Sequence, residues 1–163
     1  MRARLRVALV AATVVAAFAF APSALATVTS SFANGTLNAA SDGADAIAIA
    51  CSGGNVQVNG TNPGTGPASC GNVDSIFVDG GPGANTIDLS AVDEAHFTGF
   101  PYVVITGGAG ADTITGSAFP DEIDAGAGND VVDGGGGDDT LDFTGTPNAD
   151  AFQIVALLPL CPV

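Results

Sequence analysis

The sequence predicts an all-β protein, a right-handed parallel β-roll preceded by a less regular N-terminal β cap. Two observations carry this prediction. A nine-residue period runs without a gap over residues 71–142, and the 23 glycines of the chain are clustered rather than scattered. A short period rich in glycine is typical of solenoids, in which each coil of the chain stacks on the coil before it.

The charge distribution excludes several function classes. The chain has 17 acidic residues against three basic ones, and the basic residues are Arg2, Arg4 and Arg6. A chain without cations beyond Arg6 cannot neutralise phosphates, which argues against nucleic acid and anionic lipid surfaces as partners. The single His96 excludes a zinc site built from several histidines.

Residues 1–26 have the pattern of a secretory signal peptide. Three arginines precede an apolar run over residues 7–20, and Ala24-Leu25-Ala26 provides a small-x-small cleavage site. The run is shorter than the about 20 residues that a membrane-spanning helix needs. We therefore predict a secreted protein that is cleaved after Ala26 and has no membrane anchor afterwards. Cleavage removes every arginine and none of the acids, which leaves a formal charge of −17 with His96 neutral.

Residues 27–70 are less regular and form the predicted N-terminal β cap. Alternation of apolar and polar residues predicts strands over residues 45–49 and 56–58. Cys51 and Cys70 bracket a loop rich in Gly, Asn and Pro, and they are the plausible disulfide pair for an oxidising compartment. Cys161 is then left unpaired.

From residue 71 the chain divides into eight consecutive nonapeptides. They are GNVDSIFVD, GGPGANTID, LSAVDEAHF, TGFPYVVIT, GGAGADTIT, GSAFPDEID, AGAGNDVVD and GGGGDDTLD. The glycine-rich first six positions predict a turn, and the last three predict a short strand with a central residue that points inward. The inward residues are Ile87, Ile105, Ile114, Ile123, Val132 and Leu141. Two units make one coil, so turns 18 residues apart stack on the same edge.

Four units, starting at residues 80, 107, 125 and 134, closely follow G/A-G-x-G-x-D/N-x-U-x, where U is a large apolar residue. The segment resembles the calcium-binding nonapeptide repeats of RTX-type, or haemolysin-type, proteins. The resemblance is strong over 107–142 and fair over 71–106. It implies a calcium-binding β-roll, and it implies turn-aspartate roles for Asp112, Asp130 and Asp139. Asp121 takes the same position in a unit that has lost its inner glycines.

The stacking itself predicts a need for a cation in these turns. It places Asp112 over Asp130 and Asp121 over Asp139, where the facing carboxylates repel and no lysine or arginine relieves the repulsion. A hard cation between turns removes the conflict, and backbone carbonyls complete a shell of six to eight oxygens at about 2.3 to 2.6 Å. The turn glycines concerned are Gly108, Gly110, Gly126, Gly128, Gly135 and Gly137. Ca²⁺ fits such a site better than Mg²⁺, which retains its waters and prefers tighter octahedral sites.

Other oxygen-bearing side chains recur with the same period. Asn85 takes the turn position of the second unit and supplies an oxygen but no charge. The aspartates that end units are predicted to support the following turn as ligands or through hydrogen bonds, and they are Asp88, Asp124, Asp133 and Asp142.

One cluster holds catalytic residue types, Asp93-Glu94-Ala95-His96, near Ser90. We interpret it as a polar surface loop, because general-base catalysis needs groups that converge on one substrate and loops tolerate such residues. We therefore expect no enzymatic activity. Outward-facing threonines at Thr86, Thr113 and Thr140 raise an ice- or polysaccharide-binding alternative, although they are few and strand propensity explains them.

The function predicted from these observations is extracellular calcium binding coupled to folding of the roll. Two alternatives stay open. One is an adhesive or carbohydrate-binding module with a surface glycan as partner, and the other is an accessory part of a larger secreted polypeptide with enzymatic activity elsewhere. Residues 143–163 are either a C-terminal cap or the start of a truncated second module, because residues 145–155 echo the cap sequence that includes residues 43–50.

Overall fold

The computed structural model describes residues 26–99 and 101–142, and the backbone of 153–154. These residues form two six-stranded β-sheets, with one short 3₁₀ turn over Cys70–Asn72. Within the described residues, no helix has the length and apolar character needed to cross a bilayer. The predicted all-β class is confirmed.

Consecutive strands of the repeat region alternate between the two sheets. Sheet A contains, in spatial order, β1 (Val28–Ala33), β2 (Thr36–Ser41), β5 (Ser75–Asp79), β7 (Tyr102–Thr106), β9 (Asp121–Asp124) and β11 (Thr140–Asp142). Sheet B contains β12 (Gln153–Ile154), β10 (Val131–Asp133), β8 (Thr113–Thr115), β6 (Thr86–Asp88), β3 (Ala46–Ser52) and β4 (Asn55–Val58). All neighbouring strands are parallel except for the hairpins β1–β2 and β3–β4.

The register of the last coils follows the predicted 18-residue spacing. Ile105 pairs with Ile123 and Ile123 with Leu141 in sheet A, whereas Ile114 pairs with Val132 in sheet B. An apolar residue therefore lies over the equivalent apolar residue of the next coil. Burial of these columns between the sheets supplies the main favourable free energy of the fold.

The spacing over the third and fourth units differs from the 18-residue expectation. Ile87 pairs with Ile114, and Ile76 pairs with Val103, so these coils advance by 27 residues. The third unit lacks turn glycines and forms a loop, from which Val92 and Phe97 are fully buried in the core. Nine extra residues thus enlarge one coil without changing which side chains point inward.

The N-terminal cap closes the first end of the core. The structure contains the β1–β2 hairpin, which the residue pattern did not predict, and β2 continues sheet A by pairing with β5. Cys51 and Cys70 form a disulfide with 6.0 Å between their Cα atoms. Cys70 is buried in the same cluster as the inward residues, so the bridge ties the cap to the core.

The predicted inward residues form one buried cluster. Ile87 and Ile105 are fully buried, Ile114, Ile123 and Val132 are nearly so, and Leu141 packs against the cluster from its partly exposed end. The outward threonines do not form one row, because Thr86 and Thr113 lie in sheet B and Thr140 lies in sheet A. The predictions for the signal peptide, for Cys161 and for most of residues 143–163 fall outside the described residues.

Candidate metal centre

The turns that enter sheet B stack into a row, which we call the first edge. It comprises turns 41–45, 80–85, 107–112 and 125–130. Each turn is joined to the next by backbone hydrogen bonds, for example from Ala109 N–H to the Gly81 carbonyl and from Ala127 N–H to the Gly108 carbonyl. The row exists because each turn leads into neighbouring parallel strands of one sheet.

A side-chain ladder runs along the first edge. Oδ1 of Asp130 accepts the N–H of Asp112 at 2.8 Å, and Oδ1 of Asp112 accepts the N–H of Asn85 at 2.7 Å. Oδ1 of Asn85 in turn accepts the N–H of Asp45 at 2.8 Å. Each turn residue is thereby fixed beneath its equivalent in the next coil, as the 18-residue stacking of Asp112 over Asp130 predicted.

Among the described residues, the second carboxylate oxygen of two aspartates finds no hydrogen-bond partner. Asp112 and Asp130 are 1% and 0% exposed, and Oδ2 of each is buried without a donor. An unsatisfied buried carboxylate oxygen is costly, and the cost rises when two such groups stack without a cation. Asp112 and Asp130 therefore form a paired site with negative charge and vacant acceptor capacity.

The turn glycines bring carbonyl oxygens to the same place. Gly108, Gly110, Gly126 and Gly128 all have positive φ angles. A Cβ added at Gly126 would overlap the carbonyl oxygen of Gly108, and one at Gly128 would overlap the carbonyl oxygen of Gly110. Glycine is therefore required both by the backbone conformation and by the close approach of successive turns. Stacked carbonyls beside buried carboxylates form an all-oxygen donor set, the kind that Ca²⁺ prefers.

The turns that enter sheet A at residues 116–121 and 134–139 form a second edge with different chemistry. Oδ1 of Asp139 accepts the N–H of Asp121 at 3.1 Å, so these two aspartates also stack as predicted. Both oxygens of Asp121 are occupied, however, by the N–H of Ser117 at 2.7 Å and its hydroxyl at 2.8 Å. Gly135 and Gly137 have positive φ angles and lie against residues 116–120 of the preceding turn.

The aspartates that end units support the next turn through hydrogen bonds. Oδ1 of Asp124 accepts the N–H of Gly126 at 3.0 Å, and Oδ1 of Asp133 accepts the N–H of Gly135 at 3.1 Å. In the same manner, Oδ1 of Asp88 accepts the backbone N–H and the hydroxyl of Ser90. Asp142 is exposed at the end of β11.

The loop with catalytic residue types precedes β7 and lies beside the second edge, where the carbonyl of Val92 accepts the N–H of Ala118. Nδ1 of His96 is 2.7 Å from Oδ1 of Asp93, and these side chains are 53% and 38% exposed. The hydrogen bond with the His96 ring lowers the pKa of Asp93, and the backbone N–H groups of His96 and Ala95, which Oδ1 of Asp93 also accepts, lower it further. Ser90 is bound to Asp88 rather than to His96.

Residues 106–141 match the family model of the RTX calcium-binding nonapeptide repeat in four copies. We call residues 106–141 the RTX segment, after the repeat model that they match. Its bounds include the four turn aspartates and the six turn glycines that the sequence assigned to the metal site, whereas Asp88 and Asp142 lie outside them. Comparison with curated proteins and with solved structures gave no significant match.

The donor set of the RTX segment depends on backbone oxygens. No group of three or more His, Cys, Asp or Glu side chains suited to a metal occurs in the described part of the chain. An ion between the Asp112 and Asp130 turns must therefore take most of its ligands from carbonyls, with one carboxylate from each turn. Sequence reasoning missed Ser117 and Ser41 as hydrogen-bond donors, although the shared spacing Ser-x-x-x-Asp at 41–45 and 117–121 marks both.

Burial makes three carboxyl groups of the RTX turns reluctant to ionise, those of Asp112, Asp121 and Asp139. Burial raises the pKa of Asp112 and that of Asp139. The facing charge of Asp130 raises the pKa of Asp112 further. Burial raises the pKa of Asp121 to about 6, despite the opposing hydrogen bonds from Ser117. In the absence of a cation, each of these groups binds a proton more readily in the folded than in the unfolded chain.

This difference in pKa predicts opposite pH dependence with and without calcium. In EDTA, the thermal unfolding midpoint should rise as the pH falls from 7 to about 4, because a raised folded-state pKa favours the folded chain below it. In calcium, the midpoint should fall below pH 6, because protons compete with the ion for carboxylate oxygens. Unfolding scans at four pH values in each buffer test this. A midpoint in EDTA that is highest at pH 7 contradicts the prediction.

Proposed function

We propose that this protein binds Ca²⁺ outside the cell, and that binding orders the RTX segment into a right-handed parallel β-roll. The observation that carries the proposal is the pair of buried, unpartnered carboxylate oxygens on Asp112 and Asp130. A carboxylate that is buried, charged and without a donor needs a cation or a proton. The chain supplies no lysine or arginine beyond Arg6 that could act as the cation.

The residues present fit calcium by their chemistry. Asp112 and Asp130 would hold the ion together with carbonyl oxygens of the turn glycines, among them Gly108 and Gly126. Bound Ca²⁺ supplies the positive charge that allows both carboxylates to remain ionised. Asp139, with Gly135 and Gly137, offers the same donor types on the second edge, where Asp121 is already hydrogen-bonded.

The roll architecture is supported by the strand pairing. Strands β5 to β11 alternate between two sheets and pair in parallel with equivalent residues of neighbouring coils. Two stacked sheets joined by turns at their edges are the arrangement that a flattened solenoid requires. The right hand follows from the strong preference for right-handed crossovers between parallel strands.

The extracellular setting is supported by two features. The first is the signal-like sequence of residues 1–26, and the second is the Cys51–Cys70 disulfide, a bond that persists in oxidising compartments. Calcium outside cells is at about 1 mM, which suits weak extracellular sites in the 10⁻⁴ to 10⁻³ M range. The RTX segment would thus be less stable during export and become fully ordered where calcium is plentiful.

Far-UV circular dichroism of the purified protein, titrated with calcium after EDTA treatment, tests this proposal. We expect β-structure to increase with calcium at millimolar concentration, and we expect magnesium at the same concentration to produce little change. A spectrum that calcium leaves unchanged, together with no calcium binding in equilibrium dialysis, contradicts the proposal. The protein should show no enzymatic activity of its own.

A second candidate function is favoured by one observation on the outer face of sheet A. Phe77 and Tyr102 are 39% and 53% exposed, and their rings meet edge to face with 6.5 Å between centroids. Beside them lies a shallow groove lined by residues that include Asn38, Asp79 and Thr106. Aromatic rings beside polar side chains suit a neutral surface glycan. A glycan array probed in calcium and in EDTA distinguishes this adhesive function from a purely structural one.

A further inference from the structure

We propose that side-chain hydrogen-bond donors replace calcium in three turns of this chain, and that Asn85 ends the row of calcium sites on the first edge. The proposal rests on the calcium binding proposed above, and it identifies which turns of the first edge bind no ion. The turns concerned are 41–45, 80–85 and 116–121, and their donors are Ser41, Asn85 and Ser117.

Asn85 occupies the ladder position that Asp112 and Asp130 take in the next two turns. Its Oδ1 accepts the N–H of Asp45, just as the aspartates accept the N–H of the residue one coil earlier. Its amide nitrogen donates to the carbonyl oxygen of Gly83 at 2.5 Å. Asn85 is 2% exposed, yet both ends of its side chain have partners.

The Asn85 amide therefore takes the place that we propose for the ion in the other turns, next to the turn carbonyl. In the 125–130 turn, the equivalent atom is Oδ2 of Asp130, which is buried and lacks a donor. Replacing an oxygen by NH₂ at this position removes the negative charge and satisfies a turn carbonyl within the same residue. No cation is needed at a turn whose carboxylate has become a hydrogen-bond donor.

Ser41 and Ser117 each supply a hydroxyl donor to the carboxylate of their own turn, which satisfies one of its oxygens without removing its charge. Oγ of Ser41 lies 2.7 Å from Oδ2 of Asp45 and 3.0 Å from the carbonyl oxygen of Gly43. Oγ of Ser117 lies 2.8 Å from Oδ1 of Asp121 and 3.3 Å from the carbonyl oxygen of Phe119. Each serine therefore sits between a carboxylate and a turn carbonyl, which are the two ligand types of a calcium site.

In both turns the hydroxyl also accepts a backbone N–H, from Gly43 or from Phe119. The two serines occur in unrelated parts of the chain, one in the cap and one in the RTX segment, with the same four-residue spacing to an aspartate. The same hydrogen-bonded Ser-x-x-x-Asp turn therefore occurs twice in the chain. Turns closed in this manner are complete without metal, so the first coils provide a calcium-independent template on which the RTX segment is ordered.

The sharpest test is Asn85→Asp, which restores a carboxylate at the end of the ladder. Equilibrium dialysis with calcium at saturation should give one more bound ion per chain for Asn85→Asp than for the parent protein. The matched control is Asn62→Asp, which adds the same charge in an exposed loop of the cap and should leave the number of ions unchanged. An Asn85→Asp protein that binds the same number of ions as the parent overturns the inference while leaving calcium binding intact.

Hydrogen exchange on the unaltered protein provides a second test that needs no variant. In EDTA, amides of turns 41–45 and 80–85 should exchange at least tenfold more slowly than those of turns 107–112 and 125–130. Calcium should slow exchange chiefly in the latter two turns. Equal protection by calcium in turns 80–85 and 107–112 overturns the inference. If the parent protein binds no calcium in dialysis, the proposed function fails and this inference fails with it.

Discussion

Asp130→Asn should stabilise the protein in EDTA and destabilise it in calcium. The asparagine keeps the oxygen that accepts the N–H of Asp112, and it replaces the unpartnered Oδ2 by an NH₂ group. Removing an unsatisfied buried charge should increase the free energy of unfolding in EDTA by about 1 to 3 kcal/mol. Loss of a charged ligand should weaken calcium binding by at least about tenfold.

The measurement is thermal unfolding of the parent protein and of Asp130→Asn, each in EDTA and in saturating calcium. Asn85, which occupies the same ladder position naturally, shows that the fold accommodates an amide there. Asp138→Asn is the matched control, because Asp138 is exposed and the substitution removes the same charge. If Asp130→Asn leaves the midpoint unchanged in both buffers, the carboxylate acts only as a hydrogen-bond acceptor for the N–H of Asp112.

Gly126→Ala should strongly destabilise the protein in calcium. The φ angle of Gly126 is +83°, and an added Cβ would overlap the carbonyl oxygen of Gly108 in the preceding coil. The left-handed conformation costs a non-glycine residue about 1 to 2 kcal/mol, and the overlap adds about 1 to 3 kcal/mol. Because the overlapping oxygen belongs to the proposed metal turn, calcium affinity should fall together with stability.

Gly53→Ala separates the two contributions. Gly53 has a φ angle of +59°, and a Cβ there would meet no atom within 4 Å. This variant should therefore lose only the conformational part of the free energy, and its calcium affinity should match that of the parent. Urea unfolding in calcium measures both variants. Equal losses at residues 53 and 126 would mean that the turns on the first edge are not closely stacked.

The inward columns were predictable because they depend on a strict short period. A parallel ladder pairs equivalent positions of successive coils, so residues 18 apart are expected to lie over each other. The structure pairs Ile114 with Val132 and Ile123 with Leu141 in this way. The stacking of Asp112 over Asp130 follows from the same count. The repeat thus determines the register of the RTX segment and the partners within its turns.

The enlarged coil was not predictable from the period alone. The third unit keeps the nine-residue length, but without turn glycines it cannot form the tight turn that starts a strand. Phe97 and Val92 are fully buried instead, and the chain rejoins sheet A at β7. Whether nine residues form half a coil or a loop depends on tertiary packing, which a period does not encode.

The distinction among the turn aspartates also required the structure. Asp121 and Asp130 look equivalent in the repeat, but Ser117 donates to both oxygens of Asp121, whereas Oδ2 of Asp130 has no donor. The difference depends on side-chain contacts within a few ångströms. The Ser-x-x-x-Asp spacing of this turn is visible in the sequence. Only the structure shows that the spacing brings the serine within hydrogen-bond distance of the aspartate.

The most direct test of the central claim is a crystal structure of the protein grown in millimolar calcium, with the ion located by its anomalous scattering. We predict an ion between turns 107–112 and 125–130, held at about 2.3 to 2.6 Å by Oδ2 of Asp112, by Oδ2 of Asp130 and by turn carbonyls. Turns stacked as described here, with no anomalous peak beside these two carboxylates, would contradict the account.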